Sequence, residues 1–177
     1  LCTRGAASLR PRAGCHAASG CTMSEPVDDV DRIMAVMQSA FDPAYGEAWS
    51  RRQVEDAILI GNCHYCLVDP EGQSITPGAV VACFSLSRHT LDEQELLLLG
   101  VTPKYRRQGI GRALLSELVR SAKQRGVQRL MLEMRRGNPA ESLYRTFGFT
   151  PVGMRPDYYR MTNGERIDAI TLSLAID

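Results

Sequence analysis

The sequence predicts an α/β fold in which one mixed sheet carries helices on both faces. Three observations support that expectation. Helical and strand-like segments interleave, in the order two helices, three strands, helix, strand, helix, two strands. The 177 residues suit one domain, at roughly 150 residues per domain. Hydrophobic residues make up 44% and charged residues 23%, the balance of a globular chain rather than a disordered, collagen-like or coiled-coil one.

Each element has a local cause. Val30, Ile33, Met34 and Met37 recur at helical spacing behind Asp28-Asp29, and negative charge suits a helix N-terminus. A turn-rich segment, Phe41 to Trp49, follows. Ser50 then caps a second helix through about Ile60, with Val54, Ala57 and Ile58 inward. Residues 62–69, 78–87 and 94–101 read as strands, with turns at Asp69-Pro70-Glu71-Gly72 and from His89 to Asp92. Leu96 to Val101 is apolar on both faces and should be a central strand. Gly109 opens a long helix with the stripe Ile110, Leu114, Leu118 and Ala122, ended by Gly126. A strand at 128–134, a short helix at about 139–147 stopped by Gly148, and strands near 149–154 and 166–175 complete the chain.

Composition excludes several function classes. No apolar run approaches the roughly 20 residues that span a bilayer. Arg4, Arg10 and Arg12 sit in an acid-free stretch over residues 1–22. Without them, 18 basic residues face 20 acidic ones, a net of −2, far from the basic balance of a nucleic-acid-binding domain. Residues 1–22 lack an apolar core of the secretory kind. Their Arg- and Ser-containing composition resembles a transit peptide, but Met23-Ser24-Glu25 reads as a natural start. The expectation is a disordered extension over 1–22 and one domain over 23–177. Cys2, Cys15 and Cys21 lie in that extension, which leaves Cys63, Cys66 and Cys83 as free thiols of a reducing, cytoplasmic protein. Cys63 and Cys66 are three apart in a strand and face opposite sides, so no metal site is expected there.

The chemistry concentrates after the central strand. Pro103 ends that strand, and Arg106-Arg107-Gln108-Gly109-Ile110-Gly111-Arg112 joins it to the long helix. Glycines at a helix N-terminus let backbone N–H groups converge on an anion, which the dipole also favours, and flanking arginines add charge-assisted hydrogen bonds. A plain glycine cap on a surface helix would look the same at this level. No Gly-x-x-x-x-Gly-Lys-Ser/Thr run exists, and Leu114 stands where a dinucleotide loop needs its third small residue.

This loop resembles the Arg/Gln-x-x-Gly-x-Gly/Ala pyrophosphate loop of the GCN5-related N-acetyltransferases. Leu143-Tyr144-Arg145-Thr146-Phe147-Gly148-Phe149 is similar to that family's Leu-Tyr-x-x-x-Gly-Phe helix end. Leu132-Glu133-Met134-Arg135, Trp49-Ser50, Tyr158-Tyr159, Thr162-Asn163-Gly164-Glu165 and Asp168-Ala169-Ile170 extend the resemblance to the RimI-like branch, which acetylates protein N-termini. It covers about residues 28–176. It implies a mostly antiparallel sheet splayed at its central strands, acetyl-CoA as cosubstrate, and a protein N-terminus as acceptor: the N-terminal alanine of a small-subunit ribosomal protein.

The resemblance also implies roles. Glu133 would be the general base and Tyr144 the acid. Leu99, Gly100 and Val101 would offer backbone groups to pantetheine. Arg106, Arg107, Gln108, Gly109, Ile110, Gly111 and Arg112 would hold the phosphates, with Asn138 as a further contact. The family places that Asn seven residues before its Tyr, whereas Asn138 precedes Tyr144 by six. Glu133 could equally be an ion-pair partner of Arg135 or Arg155. Two other functions stay open: acetylation of a small amine or a lysine, and non-catalytic acyl-CoA binding. Neither nucleic acid nor membrane is expected as a partner.

Overall fold

The computed structural model describes residues 26–75 and 79–176. The extension over 1–22 and the start at Met23 lie outside the described residues. Helices are α1 (Pro26–Ala40), α2 (Arg51–Leu59), α3 (Ile110–Gln124) and α4 (Glu141–Phe147). Strands are β1 (Cys63–Val68), β2 (Cys83–Thr90), β3 (Glu93–Val101), β4 (Arg129–Arg135), β5 (Thr150–Arg160) and β6 (Arg166–Ala175). Short 3-10 turns occupy Pro43–Tyr45 and Pro103–Tyr105. None of the described helices is long and apolar enough to cross a membrane.

The strands form one sheet in the order β1-β2-β3-β4-β6-β5, antiparallel throughout except β3 and β4. That pair is parallel because α3 carries the chain back along the sheet between them. Phe84 and Leu86 of β2 pack with Val30, Ile33 and Met37 of α1 and Val54 of α2, while Cys83 packs with Ile110 and Leu114 of α3. Successive strand residues point to opposite faces, so α1 and α2 cover one face and α3 the other. On the α3 face a larger cluster joins Leu115 and Leu118 to Leu130 and Leu132 of β4, Tyr144 of α4 and Leu172 of β6.

Two local expectations are met closely. Ser50 caps α2, its Oγ accepting from the Gln53 N–H while the Gln53 side chain returns to the Ser50 N–H at 2.9 Å. Gly148, at φ +113, ends α4. Two strands differ from the sequence reading. β2 begins at Cys83 and runs to Thr90, so His89 lies in the strand and the turn tightens to Leu91-Asp92, with Leu91 at φ +57. β5 continues to Arg160 through Pro151 and Pro156, with register shifts along the way. It is an edge strand, where a missing N–H costs no ladder bond.

The feature that builds the site lies in β3. Leu86 pairs with Leu98 and Ser87 with Leu96, so Leu97 bulges without a counterpart. β3 and β4 pair only from Glu93–Arg129 to Leu96–Leu132. Beyond that point β3 stays with β2 as far as Val101, and β4 stays with β6 as far as Arg135. The central strands therefore part from Leu97 onward, each still held on its outer side.

Candidate active site

Two cavities open from this divergence. The larger, about 660 Å³, is lined by the end of β3, the loop to α3 and the exposed side of α4. The smaller, about 280 Å³, is lined by Leu96–Leu99 of β3, Leu132–Met134 of β4, the α1–α2 segment from Gly46 to Trp49, and Tyr159. Phe41, Glu47, Leu99, Asn138 and Tyr144 line both, so the two chambers meet there. Gly100 is required by packing. A Cβ on it would fall 2.7 Å from Phe84 Cε1 and 3.1 Å from Phe41 Cε2.

One end of the larger chamber is formed by the turn into α3 and its flanking arginines. Arg107 at φ +64 and Gly109 at φ +84 turn the chain into α3. The first α3 bond runs from the Ala113 N–H to the Gly109 carbonyl, leaving the N–H groups of Ile110, Gly111 and Arg112 without an intrahelical partner. Arg107, Gly109, Gly111 and Arg112 line the chamber. Gly111 also lets α3 approach α4, since a Cβ there would meet Leu143 Cδ2 at 3.1 Å. On the β4 side, β3 from Leu97 to Val101 has no strand partner, which leaves backbone groups for an extended ligand to pair with.

Individual residues of the expected set divide by what their side chains do. Leu99, Gly100, Val101, Arg106 and Asn138 line the chamber. Arg106 has its guanidinium engaged already, Nε donating to the Val101 carbonyl at 3.0 Å and Nη2 to the Ala40 carbonyl at 2.7 Å. The Gln108 side chain turns away and donates to the Lys104 carbonyl, and Ile110 is buried in the core with Leu114. Neither side chain lines the chamber, so both residues could serve it only through the backbone. Asn138 Oδ1 accepts from the Ala140 N–H at 2.9 Å, a local turn that starts α4 and occupies half of its amide.

Glu133 sits on β4 just past the point where β3 leaves it, and lines only the smaller chamber. Its side chain is 17% exposed, and Arg155 Nη2 lies 3.2 Å from Oε2. That contact lacks hydrogen-bond alignment, and no hydrogen bond reaches the buried oxygen. Tyr144, from α4, is buried with its ring edge-on to Phe149 at 5.8 Å. Burial raises its hydroxyl pKa, and the charge of Glu47 adds to the rise.

Sequence reading missed a second charged group here. Arg135 pairs not with Glu133 but with Glu47, Nε to Oε2 at 3.3 Å, and its guanidinium lies 3.5 Å over the Tyr45 ring. Burial raises the Glu47 pKa, although Arg135 opposes it. Tyr159 faces both carboxylates, and burial together with their charges pushes its hydroxyl up to about 12. Glu47 stands in a turn-rich segment without periodicity, so no local signal marks it.

Residues 31–149 match the model of the acetyltransferase (GNAT) family. The ribosomal protein bS18-alanine N-acetyltransferase of Escherichia coli is 42% identical over 103 residues, 58% of this chain and 69% of that protein. Its namesake from Haemophilus influenzae is 37% identical over 90 residues, 51% of this chain and 62% of that one. The crystal structure of ribosomal-protein-S18-alanine N-acetyltransferase from Escherichia coli matches with TM-score 0.72 and 31% identity, over 88% of this chain and 92% of that one. Arabidopsis thaliana NAA60, solved with a bisubstrate analogue, shares the fold at TM-score 0.69 and 21% identity, over 85% and 94% of the two chains.

Proposed function

Given that the chain belongs to the GNAT acetyltransferase family and is an N-acetyltransferase, we propose that its acceptor is the α-amino group of a protein N-terminus. The leading candidate is the N-terminal alanine of ribosomal protein bS18, the acceptor for which its relatives are named. The observation that carries the reading is the two-chambered cleft, with Tyr144 where the chambers meet and Glu133 on one side of that junction only.

The larger chamber takes acetyl-CoA, which supplies the acetyl group as a thioester. Its phosphates lie on the free N–H groups at the start of α3, between Arg107 and Arg112. The pantetheine arm pairs with the unpartnered edge of β3 at Leu99–Val101, and Asn138 adds the donor half of its amide. Arg106 acts from behind, holding the loop to β3 and α1. The smaller chamber takes the peptide, its terminal amine directed at the junction.

An α-amino group has an ordinary pKa of about 7.7–8.0, so a carboxylate working through water suffices to free its lone pair. Glu133 has that role. As the amine nitrogen bonds to the carbonyl carbon, an N–H near Leu99–Val101 receives the developing oxyanion. Cleavage of the carbon–sulfur bond then leaves a thiolate, which takes its proton from the Tyr144 hydroxyl. A tyrosine hydroxyl is protonated at neutral pH, and burial raises its pKa further. We place the reaction in the cytoplasm, in keeping with the unbridged thiols at Cys63 and Cys83.

The test measures CoA release with two acceptors: a short peptide beginning with Ala, and the same peptide N-blocked but containing Lys. Turnover on the free N-terminus alone is expected, with loss of roughly 10²-fold or more in Glu133→Gln and Tyr144→Phe. Turnover on lysine alone would move the acceptor to a side chain. Acetyl-CoA binding with no turnover on either would favour a non-catalytic module.

A further inference from the structure

Two titratable side chains, Glu47 and Tyr144, line both chambers. Glu133 lines only one of them. An attacking amine has to cross the junction to reach a thioester in the larger chamber, so Glu47 stands nearer the end of its path. The side chain is 17% exposed and its loop is tied on three sides. Arg106 Nη2 donates to the Ala40 carbonyl before it, the Thr162 N–H donates to the Ala44 carbonyl from the β5–β6 hairpin, and the Trp49 N–H donates to Met37 Sδ behind it. Arg135 holds the carboxylate directly, and Arg135 is itself held on the face of Tyr45.

The simplest alternative makes Glu47 the counterion of a buried arginine and nothing more. Its surroundings argue for more than that. The groups that couple to its charge are Arg135 of β4, Asp42 of its own loop, Tyr144 of α4 and Tyr159 of β5, while Arg106, Arg107 and Arg112 line the larger chamber without coupling to it. One cation therefore faces an acidic and phenolic surround, and Arg135 does not offset the burial of the carboxylate. A second cation brought to the junction would be attracted there.

We propose that Glu47 binds the ammonium form of the acceptor's terminal amine at the junction of the two chambers, and so selects cationic amines before Glu133 removes the proton. This rests on the N-terminal acceptor reading above. Glu47 is a recognition residue, and its loss should appear in KM rather than kcat. Hydrogen bonds to charged groups contribute enough to make that change about ten- to a hundredfold.

The experiment compares two Ala-initiated peptides. One carries its ordinary α-amine. In the other that amine is replaced by an aminooxyacetyl group, a nucleophile uncharged at neutral pH. Glu47→Gln keeps the shape and can still accept from Arg135. The expected result is a raised KM for the α-amine peptide, an unchanged KM for the aminooxy peptide, and unaltered acetyl-CoA affinity by calorimetry. Equal losses on both peptides, a loss confined to kcat, or weakened acetyl-CoA binding would overturn the proposal, because each marks Glu47 as a loop support. Should Glu47→Gln fold poorly, Glu47→Asp, which retains the charge on a shorter arm, must show the same split between peptides to a smaller degree. If the unmodified enzyme acetylates neither peptide yet binds acetyl-CoA, the N-terminal acceptor reading fails and takes this inference with it. If it turns over both peptides and Glu47→Gln matches it on each, the inference alone fails.

Discussion

Leu96 and Leu98 are two residues apart on β3, yet Leu96 packs with Leu115 and Leu118 of α3 while Leu98 packs with Val30 and Ile33 of α1. Strand geometry would place both on one face. The bulged Leu97 between them resets the alternation, so Leu97 and Leu98 both turn toward α1 and Leu99 returns to the α3 side. The same residue marks where β3 stops pairing with β4. One irregularity thus repacks both faces and opens the cleft.

The close approach at Gly100 makes a stability prediction. In Gly100→Ala the new methyl would lie 2.7 Å from a Phe84 ring that is completely buried and cannot swing aside. Overpacking of this kind costs about 1–3 kcal/mol. Thermal unfolding should show a lower Tm, and an unchanged Tm would mean that the Phe41 and Phe84 rings yield more easily than their packing implies.

Arg106 tests how the loop is positioned. Arg106→Ala removes two hydrogen bonds, to the Val101 and Ala40 carbonyls, worth about 1–2 kcal/mol together. Calorimetry should show weaker acetyl-CoA binding, although the guanidinium is committed to protein carbonyls. Arg106→Lys should rescue little, since one ammonium cannot serve both carbonyls in the geometry of a fork. Full rescue by lysine would mean that Arg106 acts only as a charge.

The far end of the sheet holds a pH-sensitive group. His64 and His89 have ring centroids 6.3 Å apart, next to the Arg125–Gln94–Ser87 hydrogen-bond chain. Burial lowers the His64 pKa, and Arg125 and His89 lower it further. The folded state therefore prefers the neutral ring. Its contribution to stability is complete above the unfolded value of about 6.5 and declines as pH falls through it, because the unfolded chain then binds the proton more readily. Denaturant midpoints between pH 7.5 and 5.5 should fall for the unmodified protein and fall less for His64→Gln. Parallel declines in both would assign the effect elsewhere.

Much of the molecule was legible because it rests on short-range chemistry. The capping box of Ser50 and Gln53, the stripe of α3, the stop at Gly148 and the glycine-bearing loop before α3 each depend on residues within one or two turns of one another. Leu96–Leu99 read as a central strand because its composition alone demanded burial on both sides. The family resemblance rested on the same local runs, among them those that hold Glu133 and Tyr144, which both line the smaller chamber.

What the tertiary structure decided depends on contacts that no local window contains. Glu47 and Arg135 are separated by 88 residues, and their pairing exists only because the α1–α2 loop crosses the open end of β4. The same crossing leaves Glu133 to Arg155 instead. β5 runs on through Pro156 because its outer edge has no neighbour to miss an N–H, a fact of strand order rather than of composition. The sequence by itself determined the order of helices and strands and the glycine-bearing turn that opens α3. Which carboxylate stands at the junction, and which strand edge stands open, was settled only when distant segments packed together and took their charges out of water.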